Sequence, residues 1–179
     1  HAKRMVDVTN HAYNQQYGHL FTSIIPTNIY GPGDNFHLKD SHVIPGLIRK
    51  FYDAKQNNTN VTVWGTGKPL RQFIHSYDLG KLLLWTLRDY DSVEPLILSV
   101  SEEEEVSIKQ VVEYIAEAYD MTDKIVWDNT KADGQYKKTA SNAKLLSLYP
   151  GNKVDFIDLK DGIKQTVDWF IANHDDARL

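Results

Sequence analysis

The chain has 179 residues, 41% of them apolar and 25% charged, with a formal net charge of −4 and no cysteine. That length and balance suit one ordinary folded domain and exclude a disordered segment, a disulfide framework and a cysteine-based zinc site. The negative charge gives no bulk attraction to nucleic acid or anionic membrane, and no apolar run reaches the roughly 20 residues of a membrane span. A soluble, cytoplasmic protein is therefore expected, in which any phosphate binding has to be local.

The sequence opens HAKRMVDVTNHAYNQQYG. Met5, Val8, Ala12 and Tyr13 recur at helical spacing, which predicts a helix over 2–17 stopped at Gly18. That helix begins with no initiator Met and no capping residue, the pattern of a fragment entered midway. Residues 20–25 form an apolar run rich in β-branched side chains, a buried strand closed by Pro26. Residues 27–41 read as loop. Ser41 is placed to cap a helix over 43–55, with Pro45 tolerated in its first turn. Short strands are expected at 61–64 and 72–75, a helix over 77–89 and a buried strand at 96–100. The acidic run 102–105 reads as a solvated turn. Ser107 with Gln110 is a capping-box signature, and Ile108, Val111, Val112, Ile115 and Tyr119 make the apolar face of the helix that follows. A strand at 124–128 and a short helix at 142–148 come next. Asp158 then caps a last helix with the core stripe Leu159, Ile163, Val167 and Phe170. Strands alternating with helices make the class α/β. No G-x-G-x-x-G fingerprint follows a strand, so the phosphate-binding half of a dinucleotide site is not in this sequence.

Two loops carry the chemistry. PTNIYGPGDNFHLKDSHVIPGL, at 26–47, and VWGTGKPLRQF, at 63–73, place glycine and proline where a backbone turns sharply or nears a ligand. The second crowds Trp64, Arg71, Phe73 and His75 together: an apolar surface, a guanidinium matched to phosphate oxygens, and a titratable ring. That is the equipment for a nucleotide-containing ligand. His42, beside Ser41 at a helix start, is an imidazole able to accept or return a proton. Trp64 offers a stacking face for a base or ribose. Lys50, Lys137 and Lys138 can add positive charge, and Asp133, in a turn with Gly134, can accept from ribose or base donors. Seven histidines include no H-x₃-H pair, so no metal site is expected. Lys3 alone reads as a surface lysine.

Taken together, AKRM at 2–5, PTNIYGPGDNF with SHVIPGLIRK, VWGTGKPLRQF, DNTKADGQYKKTASN and the capped helix SIKQVVEYIAEA resemble the extended short-chain dehydrogenase/reductase family. Within it they are most similar to the enzymes that epimerise and reduce GDP-linked 4-keto sugars. NIYGP marks the wider family; DNF, SHVIP and VWGTG narrow it. HSYD at 75–78 departs from the family's usual aromatic-Val-Asp-Asp string.

The resemblance implies the following. The fold is a C-terminal substrate-binding domain plus a remnant of an NAD(P)-binding Rossmann fold: residues 1–30 are the remnant, and 31–179 are mainly the nucleotide-sugar domain, with some segments returning to the Rossmann sheet. Lys3 matches the lysine of the family's Tyr-x-x-x-Lys, which bonds the nicotinamide ribose and lowers the tyrosine pKa. The tyrosine, the catalytic serine, the cysteine acid/base and the glycine loop would all lie outside this sequence, so the chain alone is expected to be inactive. His42 matches the acid of the 3,5-epimerisation. Pro26, Thr27, Asn28 and Ile29, with Lys3 and His42, match the NADP(H) contacts. Lys50, Trp64, Arg71 and Asp133 match contacts to the GDP-sugar, and Lys138 is a further phosphate contact. The intact protein would epimerise GDP-4-keto-6-deoxy-mannose at C3 and C5, reduce C4 with NADPH, and form a homodimer, without nucleic acid or membrane partners. Two other readings stay open: a different nucleotide-sugar epimerase or dehydratase, and a non-catalytic nucleotide-sugar-binding protein.

Overall fold

Helix and strand signals appear in the order that the sequence predicts. A computed structural model describes residues 1–179. The elements are α1 (Ala2–Tyr17), β1 (Ile24–Pro26), β2 (Asn28–Tyr30), α2 (Val43–Asn57), β3 (Val61–Trp64), β4 (Leu70–Arg71), β5 (Phe73–His75) and α3 (Ser76–Asp89). They continue with β6 (Leu96–Leu98), β7 (Val106–Ser107), α4 (Ile108–Tyr119), β8 (Ile125–Asp128), β9 (Lys137–Lys138), α5 (Ala143–Leu148) and α6 (Leu159–Ala172). Three parallel pairs, β1 with β6, β2 with β5 and β3 with β8, form separate small sheets. A fourth sheet places β4 between antiparallel β7 and parallel β9. No helix is long and apolar enough to cross a membrane.

The main core is where α2, α4 and α6 turn their apolar stripes toward one another. Ile48 and Phe51 of α2, Val111, Val112 and Ile115 of α4, and Ile163, Val167 and Phe170 of α6 are each fully buried. Each such side chain contributes about 1.5–3 kcal/mol, and together they fix how the three helices cross. Asp158 caps α6, accepting from the Lys160 and Asp161 amides. Ser107 caps α4 by accepting from the Gln110 amide at 3.1 Å. The Gln110 side chain bonds the Tyr114 hydroxyl instead of reaching back, so only half of the expected box forms. A smaller core joins Ile74, Leu79, Leu82, Trp85, Leu96, Leu98 and Leu145, with Ile24 of β1 packed against it.

Four expectations need correction. The strand at 20–25 shortens to Ile24–Pro26, and Leu20, Phe21 and Ile25 are exposed, because β1 has a neighbour on one edge only and α1 buries none of its residues. Residues 28–30, read as loop, form β2 through distant pairing with β5. The cap residue of α2 is His42, not Ser41, and neither side chain bonds a helix amide. The acidic run is solvated only over Glu102–Glu104; the Glu105 side chain is buried.

One buried side chain locks these pieces together. Gln72, between β4 and β5, is fully buried. Its amide nitrogen donates to the carbonyls of Val100, Ser101 and Ala140 at 3.0, 2.9 and 3.0 Å, and its amide oxygen accepts from the Ala140 amide at 2.8 Å. Its own carbonyl accepts from the Asn28 side chain at 2.7 Å. Gln72→Leu keeps the volume and removes these side-chain bonds, leaving buried carbonyls and an amide without partners. The expected loss is about 3 kcal/mol, read from urea unfolding. A loss below about 1 kcal/mol would show that these bonds do not hold the fold.

Candidate functional site

The best-furnished surface lies at the end of β3 and along β4. Trp64 closes β3 with its ring 64% exposed. The Lys50 ammonium, from α2, lies 4.6 Å from that ring's centroid, a cation–π contact. Partial burial holds Lys50 below the ordinary lysine range. After Trp64 the chain turns through Gly65 and Gly67, both left-handed at φ 83° and 72°. A Cβ at Gly65 would come within 2.4 Å of the Asp133 carboxylate, and one at Gly67 within 2.6 Å of the Trp127 ring. Side chains are therefore excluded by space as well as by backbone.

Between those glycines, the Thr66 amide and hydroxyl donate to Asp133 at 2.8 and 2.7 Å. The hydroxyl bond first, and then the amide bond, hold the Asp133 carboxyl below the usual carboxylate range. Asp133 thus clasps the glycine turn to the segment before β9. Next to it, a Cβ on Gly134 would stand 3.6 Å from the Arg71 guanidinium. Arg71 is paired across the ladder with Lys138. Lys50, Trp64, Arg71, Asp133 and Lys138 are therefore brought along one rim. Lys50, Arg71 and Lys138 have no carboxylate partner, whereas Lys137, Lys160 and Lys164 do. An aromatic face flanked by unpaired cations suits an anionic ligand with a flat ring.

The other candidates lie apart. His42 is the exposed N-cap of α2, and its carbonyl accepts from the Gly46 amide at 3.0 Å. Eight residues separate it from Lys50 on the same helix, a rise of about 12 Å. The loop before His42 is fastened by buried Phe36, whose amide donates to the Arg178 carbonyl at 2.7 Å. Pro26, Thr27, Asn28 and Ile29 cover the junction of β1 and β2. The Thr27 amide bonds the Leu98 carbonyl at 3.3 Å, and its hydroxyl is buried with no partner. Lys3 is exposed on α1, and no hydrogen bond or ion pair joins it to the other candidates.

His75 and Phe73 do not belong to the rim, contrary to their crowding with Trp64 and Arg71 in the sequence. Phe73 is in the main core. His75 is 2% exposed and caps α3, its Nδ1 accepting from the Tyr77 amide at 3.3 Å. Its Nε2 is buried without a partner, and the Tyr30 ring lies edge-on to it at 5.2 Å. Burial lowers its pKa, Asp78 opposes that shift and Lys81 adds to it. The sequence reading missed Thr66 and Gln72. Gln72 had a signal, a lone amide in an otherwise strand-like run. Two clefts of about 260 and 370 Å³ share Lys153, Val154 and Asp155, and no candidate residue lines them.

Comparison with known proteins gives the chain's relatives. Residues 1–100 match the NAD dependent epimerase/dehydratase family. A GDP-L-fucose synthase of Dictyostelium discoideum is 58% identical over 178 residues, 99% of this chain and 55% of that protein. A probable GDP-L-fucose synthase of Drosophila melanogaster is 49% identical, over 99% of this chain and 57% of that protein. A crystal structure of a GDP-L-fucose synthetase from Naegleria fowleri bound to NADP superposes with a TM-score of 0.94 at 49% identity, over 99% of this chain and 56% of that one. The chain spans about half the length of the curated relatives that it matches.

The buried cap gives a pH dependence. Folded His75 binds its proton less readily than the unfolded residue, whose pKa is about 6.5. The unfolded chain therefore takes up more protons as pH falls, and stability present above about pH 6.5 is lost below it. The thermal midpoint is expected to drop between pH 7.5 and 5.5, and to drop less in His75→Asn, whose amide oxygen can still cap α3. Equal drops in the two proteins would remove His75 as the cause.

Proposed function

This chain belongs to the NAD dependent epimerase/dehydratase family, and we propose that it is the C-terminal, sugar-nucleotide-binding part of an NADPH-dependent GDP-L-fucose synthase. The observation that carries this reading is the rim: exposed Trp64 with Lys50 against its ring and, across the turn that Asp133 clasps, Arg71 paired with Lys138. In it, Trp64 covers the nucleotide, Arg71 and Lys138 take the phosphates, and Lys50 adds charge near the same ligand. Asp133, besides clasping Thr66, accepts from ribose or base donors. The five side chains hold the GDP-sugar so that its 4-keto ring reaches toward His42.

His42 then works on the sugar. The C4 carbonyl makes the neighbouring C3 and C5 hydrogens acidic, since the negative charge left by their removal spreads onto the carbonyl oxygen. His42 returns a proton to the opposite face at each carbon as the general acid. Its exposed position at a helix start, free of any capping bond, leaves the ring available for that work.

The residues at the end of β1 fit a nicotinamide nucleotide. The buried Thr27 hydroxyl has no partner within the chain, and the exposed Lys3 ammonium forms no ion pair. Pro26, Thr27, Asn28 and Ile29 would line its nicotinamide end, beside His42, and Lys3 would hold the ribose. NADPH, when bound there, would supply the hydride for C4, the C4 oxygen taking a proton from the tyrosine that the family resemblance implies. The smaller core around Ile74, Leu96 and Leu98, with residues 1–30, belongs on this reading to the dinucleotide-binding domain, and the three-helix core to the substrate domain. The exposed apolar face of α1, including Met5, Val8 and Tyr13, is the seat of further protein in the intact enzyme, a homodimer contact among it.

Two measurements test this. GDP added to the 179-residue chain should quench tryptophan fluorescence through Trp64, and Arg71→Ala should weaken binding roughly tenfold. Binding of GDP no tighter than inorganic phosphate would refute the reading. In a full-length enzyme carrying this segment, His42→Gln should slow exchange of the C3 and C5 hydrogens with D₂O by about 10²-fold or more. Exchange at the unmodified rate would remove His42 from the chemistry. The chain by itself, without a glycine loop, should oxidise no NADPH.

A further inference from the structure

Four glutamates run from Glu102 to Glu105, and only the last leaves the solvent. Glu102–Glu104 make an exposed turn, whereas the Glu105 side chain is 7% exposed. Both of its oxygens are spent on side chains of one short stretch of the chain. Oε1 accepts from the Thr139 hydroxyl, and Oε2 lies 3.3 Å from the Lys137 ammonium. Thr139 and Lys137 are the two neighbours of Lys138.

Side chains alternate along a strand, so a grip on 137 and 139 fixes one face of β9 and turns Lys138 to the other. The ladder register agrees. Arg71 stands opposite Lys138 on one side of β4 and opposite Val106 on the other, while Leu70 pairs with Lys137 and Ser107. Directly paired residues share a face. Arg71 and Lys138 therefore point the same way, and Glu105, one residue before Val106, lies on the Lys137 face.

The strand has little else to hold it. It is two residues long, and residues 129–138 are exposed throughout. Upstream, the Leu70 amide donates to the Tyr136 carbonyl at 2.8 Å; downstream, Ala140 is held by Gln72. Glu105 supplies the only side-chain grip on the two residues flanking Lys138.

We propose that Glu105 is a positioning residue for the anion site. Acting through Lys137 and Thr139, it keeps β9 in register with β4 and sets Lys138 beside Arg71, spaced for the two phosphates of a nucleoside diphosphate. Its charge is spent on Lys137, so the cation next to Lys138 is neutralised while Lys138 itself stays unpaired. This inference rests on the reading of the rim as a diphosphate site.

The test measures affinities of the 179-residue chain for GDP and GMP by calorimetry, in wild type, Glu105→Ala, Thr139→Val and the double variant. Glu105→Ala should weaken GDP roughly tenfold and GMP less than about threefold, so the preference for the diphosphate narrows. Thr139→Val should move the ratio the same way, and the double variant should be no worse than Glu105→Ala, because both act through one link. Should Glu105→Ala not fold, Thr139→Val, which deletes one hydroxyl of a partly exposed residue, carries the test. Unchanged GDP affinity in the variants, or equal losses for GDP and GMP, overturns the positioning role while leaving the diphosphate site standing. A wild-type chain that binds no GDP overturns the site and the inference with it.

Discussion

The arrangement depends on one desolvated amide. Gln72 sits with its side chain in the protein interior, where an unpaired amide is costly, and every polar atom of that side chain is engaged by backbone. Its partners come from three distant places: the end of β6 at Val100 and Ser101, the segment after β9 at Ala140, and, through its own carbonyl, Asn28 in β2. Separate two- and three-residue ladders would have little cohesion alone. Tied to one residue, they share a frame. Arg71 precedes Gln72 directly, so the guanidinium on the rim and the loop at the end of β1 are both referred to the same anchor. Ala140 and Asn28 are thereby bonded to the same residue, one through its side chain and the other through its main-chain carbonyl.

Against that frame, the distribution of charge is selective. Along α4 and α6, lysines are spent on nearby carboxylates, as in Lys160 with Glu117 and Lys164 with Asp168. Exposed pairs of this kind contribute little to stability. On the rim the opposite holds. Asp133, the one carboxylate among the candidates, is turned to the Thr66 amide and hydroxyl and leaves Arg71 alone. Lys50 is partly desolvated over an indole with no counter-ion, a placement that opposes its charge. Arg71 and Lys138, paired across the ladder with no carboxylate between them, repel one another, a cost that the anion proposed above would relieve.

How far the sequence discloses this follows from the range of the forces involved. Helices α2, α4 and α6 were legible because their stripes repeat every three or four residues, and the Ser107 and Asp158 caps act within a turn. The rim residues were legible as types: a tryptophan before G-T-G and an arginine shortly after have few local uses. What escaped depends on pairing between distant segments. β2, β4, β7 and β9 are two or three residues each, too short for any period, and exist only because a remote strand supplies the ladder. The His75 ring misleads for the same reason. In the sequence it neighbours Arg71, but strand β5 runs into the interior, where Phe73, Ile74 and His75 are all buried. Ser41 and His42 differ by one position, and a cap bond that neither makes leaves no trace to read.

The two cores are unequal, and the inequality has a consequence for the site. Nineteen residues make the core beneath α2, α4 and α6, and seven make the one under β1 and β6. The rim stands on the larger. The loop at 26–29 stands on the smaller, and α1 buries no residue, being joined to the following segment by the Asn10 amide on the Ser23 hydroxyl at 3.0 Å. Local opening is easiest where few apolar contacts resist it. Within this chain the end that holds Lys3 and Thr27 therefore has the fewer apolar contacts to resist opening, and α2 and β3, which carry Lys50 and Trp64, the more. Trp64 and Lys50 are thus carried by elements of the larger core, whereas Lys138 depends on the β4 ladder and on its neighbours' bonds to Glu105. At the end that holds Lys3 and Thr27, Met5, Val8, Phe21 and Ile25 face water, the apolar surface that further protein would cover on the reading proposed above.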